Sequence, residues 1–554
     1  MENEEKKENR LLAGFKADKV HSIFFILKYG FAIALTIYTG VRRGPLFSVI
    51  GLLELLCIFC ISNRLLRFRY TVFGNILTDV LIAFYNTQMG VLIFGGTYLT
   101  LIMLTNIDSA EDLSGQAGMY LGAIALVVIF SCLPLRAVPF PNARIMSLAL
   151  IAELGLTMVK GPEFSPFYDV YAIAKDYRAK EAQKARLAAL NIDPGTFSKG
   201  TVGNFYEGTE NAGKNVVLIL TEGLSQDIVK DDRDIMPNVA KYEKKSLNFT
   251  NYYNHTFATY RGIIGQLFSG YQLENLDENH LISIAELLRT NGYYTSFLNS
   301  EPNNTQFTTY LEGLGFDDVI GEPGNGYTGP TNSISDKEIY ERLFDQMEEQ
   351  GKGDKPFFTA VYTFGTHLSL DSVDEKFGDG TDPELNKFYN VDCQFGKFME
   401  KFEHSDLKDN TVIVFTADHT TYVDNYYEAS FPDVSNRPTD CGRVPLFFYY
   451  PGMEPSEIDC EGRNSLDLAP TICNYIQQDG PNFFLGTSLF SQAQNNNTYD
   501  RFFSDGSVEY CTANGEVRLL TDSEQKIFDS SVEAYYAIKQ SEDVKEQELQ
   551  KYQK

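Results

Sequence analysis

The chain has 554 residues, several times the ~150-residue domain prior, so more than one domain is expected. Its formal charge is −27, with 74 acidic against 47 basic side chains, which excludes a basic nucleic-acid footprint; 44% apolar and 13% aromatic residues exclude a wholly disordered chain. The charge is unevenly spread: residues 1–140 hold 12 basic and 10 acidic residues, so residues 141–554 carry −29.

Residues 1–20 form a charged cytoplasmic tail containing Lys6, Lys7, Arg10, Lys16 and Lys19. Apolar runs fill residues 21–138. His21–Gly40, Pro45–Ser62, Thr71–Tyr85, Met89–Thr105 and Gly118–Leu135 read as an anchor of about five transmembrane helices, the third of them short. Asp79 in the third is costly in lipid and is expected to face another helix or a polar cavity. The long charged tail, the missing small-residue cleavage site and the later apolar runs argue against a cleavable signal peptide. With five spans, the tail and the loop bearing Arg64, Arg67 and Arg69 share one side, which the basic residues mark as cytoplasmic; Arg42 and Arg43 fall opposite. The expectation is a multi-pass protein of the cell membrane whose acidic C-terminal part is extracytoplasmic.

Residues 139–212 read as a juxtamembrane connector. It comprises the apolar stretch Ala143–Lys160 along the membrane surface, a helix over Tyr168–Leu190, and a Gly/Asn/Thr-rich linker over Asn191–Ala212. From 213 to 499, the apolar β runs Asn215–Leu220, Thr295–Asn299, Phe357–Phe364 and Thr411–Thr416 alternate with helical patterns such as Ser283–Asn291, Lys337–Gln350 and Leu385–Phe402. This texture predicts an α/β sheet with helices on both faces. In residues 500–554, Arg501–Asp522 reads as a small antiparallel β subdomain with Asp505-Gly506 and Asn514-Gly515 turns, followed by a charged tail. Cys393, Cys441, Cys460, Cys473 and Cys511 lie outside the apolar runs with no CxxC pair among them, which argues against a zinc ribbon; a disulfide stays open, with no partners named by the sequence.

Ligands of open α/β sheets bind beyond the carboxyl ends of strands. Glu222 follows NVVLIL-Thr221, and Asp418-His419 follows TVIVFTA, so a carboxylate and an imidazole can meet at one divalent ion. His367 follows FFTAVYTFGT, again at a strand end, and His255 stands just ahead of Thr259-Tyr260-Arg261-Gly262. If Thr259 opens a helix, its hydroxyl is exposed and the following N–H groups can hold an anion. It becomes a nucleophile only where a metal or base lowers its pKa. Ligation requires Glu222 and Asp418 ionised and His419 neutral, so activity is expected to fall at acid pH.

The order Glu222-Gly223-Leu224-Ser225, Met236-Pro237-Asn238, Phe249-Thr250-Asn251-Tyr252-Tyr253, Thr259-Tyr260-Arg261-Gly262, Phe364-Gly365-Thr366-His367, Phe415-Thr416-Ala417-Asp418-His419, Arg443-Val444-Pro445-Leu446 and Asp467-Leu468-Ala469-Pro470-Thr471 resembles that of lipoteichoic acid synthases and related phosphoglycerol transferases. These belong to the sulfatase-like branch of the alkaline phosphatase superfamily. The resemblance implies an N-terminal five-helix transmembrane bundle followed by an extracytoplasmic α/β alkaline-phosphatase-like (sulfatase-like) domain with the small C-terminal β subdomain. It implies Glu222, Thr259, Asp418 and His419 as ligands of one divalent metal, Mn2+ ahead of Zn2+ or Mg2+. It also implies Thr259 as nucleophile, His367 at the transferred group or leaving group, and a phospho-threonine intermediate. Arg261 and His255 are the substrate-binding candidates. The implied partners are a phosphatidylglycerol-like membrane lipid donor and an envelope polymer or glycan acceptor, with no nucleic acid. The chain departs from the family at Phe307-Thr308-Thr309-Tyr310, which lacks the phosphate-gripping Arg, and at Asn299 and Thr420, which replace a frequent His and Gly. A phosphoethanolamine transferase and a hydrolase of the same superfamily are the alternatives. No C/S-x-P-x-R motif stands near Thr259, which disfavours a sulfatase.

Overall fold

The computed structural model describes residues 19–548 except 68–70, 96–97, 100–116, 139, 141, 162–163, 191, 273–278, 328–332, 369, 433–438, 492–497, 505–506, 512–513, 542–543 and 546–547. The chain divides into two units, one of residues 1–110 and 116–184 and one of residues 111–115 and 185–554.

The first unit is helical: α1 (Lys19–Arg43), α2 (Pro45–Leu66), α3 (Thr71–Gly95), α4 (Ala117–Ser131) and α5 (Asn142–Lys160). Among the described residues three helices, Lys19–Arg43, Pro45–Leu66 and Val72–Ile93, are long and apolar enough to cross a membrane, and Leu121–Ser131 is a shorter apolar one. The runs expected as separate third and fourth spans are joined, because α3 continues through Asn86-Thr87-Gln88 to Gly95. Those polar side chains do not force a turn because they find tertiary partners. Asn86 Nδ2 donates to Ser131 Oγ at 3.0 Å and Gln88 Nε2 to the Pro166 carbonyl at 3.2 Å. The end of the expected fourth span, 100–105, lies outside the described residues. Asp79 is paired as expected, with the fully buried Lys28 of α1. The stretch expected along the membrane surface is α5, which packs against α2 inside this unit.

The second unit is built on an eight-stranded sheet of β1 (Asn215–Thr221), β2 (Leu247–Thr250), β3 (Tyr294–Leu298), β4 (Asp318–Ile320), β5 (Phe357–Thr363), β6 (Thr411–Ala417), β7 (Leu446–Tyr449) and β8 (Ser456–Asp459), in the order β4-β3-β5-β1-β6-β7-β2-β8. All neighbours are parallel except β7, which runs antiparallel to β6 and β2. The central strands NVVLILT, FFTAVYT and TVIVFTA are buried along their whole length. Continuous apolar runs suit strands covered on both faces, where alternation would place polar groups in the core. A second sheet of β9 (Phe502–Ser504), β10 (Ser507–Cys511) and β11 (Val517–Leu519) is antiparallel, as expected, and the expected Asp505-Gly506 turn lies outside the described residues. The chain then forms a helix over Asp522–Lys539 with a Thr521/Glu524 capping box. This helix is anchored, with Tyr535 and Tyr536 buried and Tyr536 Oη donating to the Tyr271 carbonyl at 2.9 Å.

Candidate active site

Strands β1 and β6 are parallel neighbours with Thr221 opposite Ala417, so Glu222 and Asp418 each stand one residue beyond the carboxyl edge. Gly223, at φ 51°, turns the chain there, and its N–H donates to Asp418 Oδ1 at 2.8 Å; the His419 N–H donates to the same oxygen at 2.7 Å. His419 Nε2 lies 3.5 Å from Glu222 Oε1 and 3.5 Å from Asp418 Oδ2. One ligand atom from each of the three buried residues falls within 4.8 Å of the others.

Thr259 opens the helix Thr259–Phe268, which is docked against the end of β6. Gly262 allows the approach: a Cβ there would sit 2.4 Å from the Asp418 carbonyl oxygen. Gln266 Nε2 donates to the Ala417 and Asp418 carbonyls at 3.0 and 3.1 Å. The chain enters the helix through Ala258 at φ 87°, a conformation strained for any L-residue and sustained by the packing around it. Thr259 Oγ1 then donates to Glu222 Oε2 at 2.9 Å.

The electrostatics favour a bound cation. Asp418 Oδ2 is buried and accepts no hydrogen bond. Burial, and then the neighbouring Glu222 charge, push the Asp418 carboxyl well above the usual range. Glu222 is held below that range: the cost of burial is outweighed by His419 and His367 and by hydrogen bonds from Tyr362 and Thr259. Burial lowers the His419 pKa against the Glu222 charge, which raises it, and so favours the neutral ring that a metal ligand needs. With Nδ1 2.6 Å from the Thr420 carbonyl, the proton is placed on Nδ1, which leaves the Nε2 lone pair facing the carboxylates. Two carboxylates, an imidazole lone pair and a hydroxyl form a mixed O/N donor set that fits one divalent ion.

Two contributors escaped the sequence reading. Tyr362 Oη donates to Glu222 Oε2, and Thr366 Oγ1 donates to the Glu222 carbonyl at 2.6 Å. The only signal of Tyr362 is membership of the FFTAVYTFGT run, and Thr366 stands in the Phe364-Gly365-Thr366-His367 motif with no role of its own in the sequence reading; that β5 lies beside β1, with Tyr362 opposite Leu220, is a matter of topology. His367 follows β5, stacks on Phe364 at 4.8 Å, and lies within electrostatic reach of both Glu222 and His419. Arg261 is buried, and its charge is felt by His419 and His255. His255 is not brought to the cluster. Its ring lies against Gly265 and holds Ser465 Oγ at 2.6 Å, and burial pushes its pKa down to about 3. A fully buried neutral ring of this kind packs the helix in place.

The departures from the family have local explanations. Asn299 is buried, donating to Thr308 Oγ1 at 3.0 Å and the Glu301 carbonyl at 3.3 Å and accepting from the Glu301 N–H at 2.8 Å. Thr420 Oγ1 donates to the Thr439 and Asp440 carbonyls at 2.9 and 3.1 Å, fixing the loop after His419. Around Phe307 an aromatic wall replaces the missing Arg: Tyr260 stacks on Phe307 at 4.9 Å and lies 5.6 Å from Tyr310. Asn304 Nδ2 ties this wall to an acid, donating to Tyr260 Oη at 2.6 Å and to Glu301 Oε2 at 3.2 Å.

The fold is alkaline-phosphatase-like. Among solved structures the chain is similar to a protein in the alkaline phosphatase superfamily from Vibrio parahaemolyticus (TM-score 0.51, 21% identity, 65% of this chain and 95% of that one). It is also similar to the lipoteichoic acid synthase LtaP from Listeria monocytogenes (TM-score 0.50, 18% identity, 62% and 96%). A third likeness is to the integral membrane protein lipooligosaccharide phosphoethanolamine transferase A, EptA, from Neisseria meningitidis (TM-score 0.50, 12% identity, 81% and 95%). Residues 214–477 match the family model described as Sulfatase. In sequence it is 24% identical over 330 residues to an uncharacterized protein of Haemophilus influenzae, covering 59% of this chain and 49% of that one. It is 22% identical over 301 residues to the lipoteichoic acid synthase-like YvgJ of Bacillus subtilis, covering 48% and 47%. The chain spans about half the length of these curated relatives.

Proposed function

We propose that the chain is a membrane-anchored, metal-dependent phospho-group transferase of the phosphoglycerol type. Its donor is a lipid head group such as that of phosphatidylglycerol, its acceptor is an envelope polymer or glycan outside the cytoplasm, and Thr259 carries the group between them. The observation that carries this reading is the Thr259 hydroxyl, set on a strained helix entry and hydrogen-bonded to Glu222 beside the orphaned Asp418 Oδ2. The likeness of fold to LtaP and EptA supports it. A divalent ion held by Glu222, Asp418, His419 and Thr259, Mn2+ in the first place, supplies positive charge for the phosphate oxygens and lowers the pKa of the Thr259 hydroxyl.

Thr259 Oγ1 passes its proton to Glu222 Oε2 and attacks phosphorus, the bond from phosphorus to the diacylglycerol oxygen breaks, and His367 gives that oxygen its proton. His367 then takes the proton of the acceptor hydroxyl, whose oxygen attacks the phospho-threonine, and the freed Thr259 oxygen takes its proton back from Glu222. The N-terminal N–H groups of the Thr259 helix and the buried Arg261 favour the anion. The −29 on residues 141–554 repels an anionic acceptor at long range, so attraction has to come from the site itself. The test is turnover of fluorescent phosphatidylglycerol by the full chain in detergent with Mn2+. Wild type should release fluorescent diacylglycerol and carry glycerol phosphate on the Thr259 peptide; full turnover by Thr259→Ala would overturn the reading.

One observation favours a second reading, a phosphoethanolamine donor. The phosphate-gripping Arg of lipoteichoic acid synthases is missing at Phe307-Thr308-Thr309-Tyr310, where the buried Tyr260 and Phe307 rings stack on each other beside the buried Glu301 and supply no cation for an anionic glycerol phosphate. Faster turnover of phosphatidylethanolamine than of phosphatidylglycerol in the same assay selects it.

A further inference from the structure

Cys441 and Cys511 are 70 positions apart, yet their Sγ atoms lie 3.2 Å from each other. Cys441 stands in the segment leading to β7 and Cys511 closes β10. Both are buried in a small apolar cluster with Tyr253 and Phe502, against which Phe257 packs, apart from the main core. We propose that this pair is a disulfide site that fastens the small antiparallel sheet to the loop supporting His419. Two sulfurs at this separation need to close by only about 1.2 Å to reach bonding distance.

The position gives the bond a consequence at the active site. The Thr439 and Asp440 carbonyls just before Cys441 hold the hydroxyl of Thr420, the neighbour of His419. Asn254 Nδ2 donates to the Asp440 carbonyl at 2.7 Å, and the Gly442 N–H donates to Asn254 Oδ1 at 3.0 Å. On the other side, the Phe503 N–H of β9 donates to the His255 carbonyl at 2.9 Å, and Thr256 Oγ1 donates to the Phe503 carbonyl at 2.8 Å. Between these supports, the Phe257 ring lies 4.7 Å from that of His419, two residues before Thr259. The disulfide therefore joins covalently two supports of the Thr259 and His419 segments that are otherwise held by hydrogen bonds.

Each cysteine gives up its thiol proton and one electron as the Sγ–Sγ bond forms. The oxidant is a disulfide, of a protein or a small molecule, whose own S–S bond breaks as it takes up both electrons and both protons and leaves as two thiols. The hydrogen bond to Cys511, together with burial, raises the Cys441 thiol pKa, so exchange in the folded chain is slow and the bond forms while the chain folds.

The proposal goes beyond the transferase reading and shares with it only the need for an oxidising compartment. Its test starts with cells lysed in N-ethylmaleimide; the full chain is then digested without reductant and its peptides are mapped by mass. The expected result is a linked Cys441–Cys511 peptide, two hydrogens lighter than its separate halves. In a second arm the reduced full chain in detergent is exposed to oxidised glutathione at a mildly denaturing urea concentration. A link that forms in this arm alone supports the pair and counts against extracytoplasmic placement. Alkylation of both cysteines in both arms, or a link from either to another cysteine, overturns the proposal. Linked protein should melt about 5 °C or more above the reduced form, a difference that vanishes in Cys511→Ala.

Discussion

In the helical unit Lys28 of α1 meets Asp79 of α3 and also donates to the Leu133 carbonyl at 3.2 Å, whereas at the edge of the central sheet Glu222 and Asp418 meet each other with only the neutral His419 ring between them. The sheet domain also buries a closed cluster of its own. Arg463 Nε donates to Asp467 Oδ2 at 2.7 Å, and its Nη2 reaches the Thr487 and Ser488 carbonyls at 2.6 and 3.0 Å. Lys199 Nζ nearby donates to the Leu485 and Gly486 carbonyls at 3.0 and 2.9 Å, and both cations feel the charges of Asp467 and the buried Asp500, two against two. In the sheet domain Arg463, Asp467, Glu222, Asp418 and His419 are buried, and in the helical unit Lys28 is buried while Asp79 is partly exposed. What separates them is whether the charges balance: a closed pair holds elements together, whereas two carboxylates with an orphaned oxygen are kept together by the surrounding fold and gain by binding a cation.

The largest expected effect lies in the open cluster. Asp418→Asn should abolish metal-dependent turnover, by about 1,000-fold or more, while the metal-free protein melts no lower than wild type because one of two like charges is gone. Calorimetry with and without Mn2+ checks both halves, and a large fall in the metal-free melting temperature would break the contrast with the closed pairs. The closed cluster should behave in the opposite way. Arg463→Met strands the buried Asp467 and should cost about 3–5 kcal/mol in unfolding, with part recovered in Arg463→Met/Asp467→Leu. Gly262→Ala comes next, since its Cβ would push the Thr259 helix from the end of β6. Turnover should fall about 100-fold, with a stability loss too small to explain it.

The smallest effect separates burial from pairing within the sheet domain. Asp336 is fully buried, accepts from the Gly365 N–H and from Asn390 Nδ2 at 3.0 Å each, and has its carboxyl pushed up from 3.8 to about 7 by burial. Because its folded pKa lies above its unfolded one, its protonated form contributes stability that is complete below 3.8 and disappears as the pH rises through about 7. Melting temperatures from about pH 5 to about pH 8 should therefore fall less steeply in Asp336→Asn than in wild type.

The runs NVVLILT and TVIVFTA read as buried strands because β-branched and apolar residues follow one another without a break, and Glu222 and Asp418-His419 read as site residues because they end those strands. Apolar helices and the small antiparallel sheet were legible on the same grounds of local period and turn chemistry, while a helix opening at Thr259 was only a condition. Tyr362 and Thr366 could not be read, because nothing local says that β5 lies beside β1. Nor could the continuity of α3, the burial of His255 under its helix, or the meeting of Cys441 with Cys511 across 70 positions. A side chain's chemistry and its periodic place along the chain are local properties, which the sequence determines by itself. Which neighbour compensates a buried charge, closes a polar break in a helix or faces a thiol is decided by long-range pairing, and that exists only once the sheet and the helices have packed.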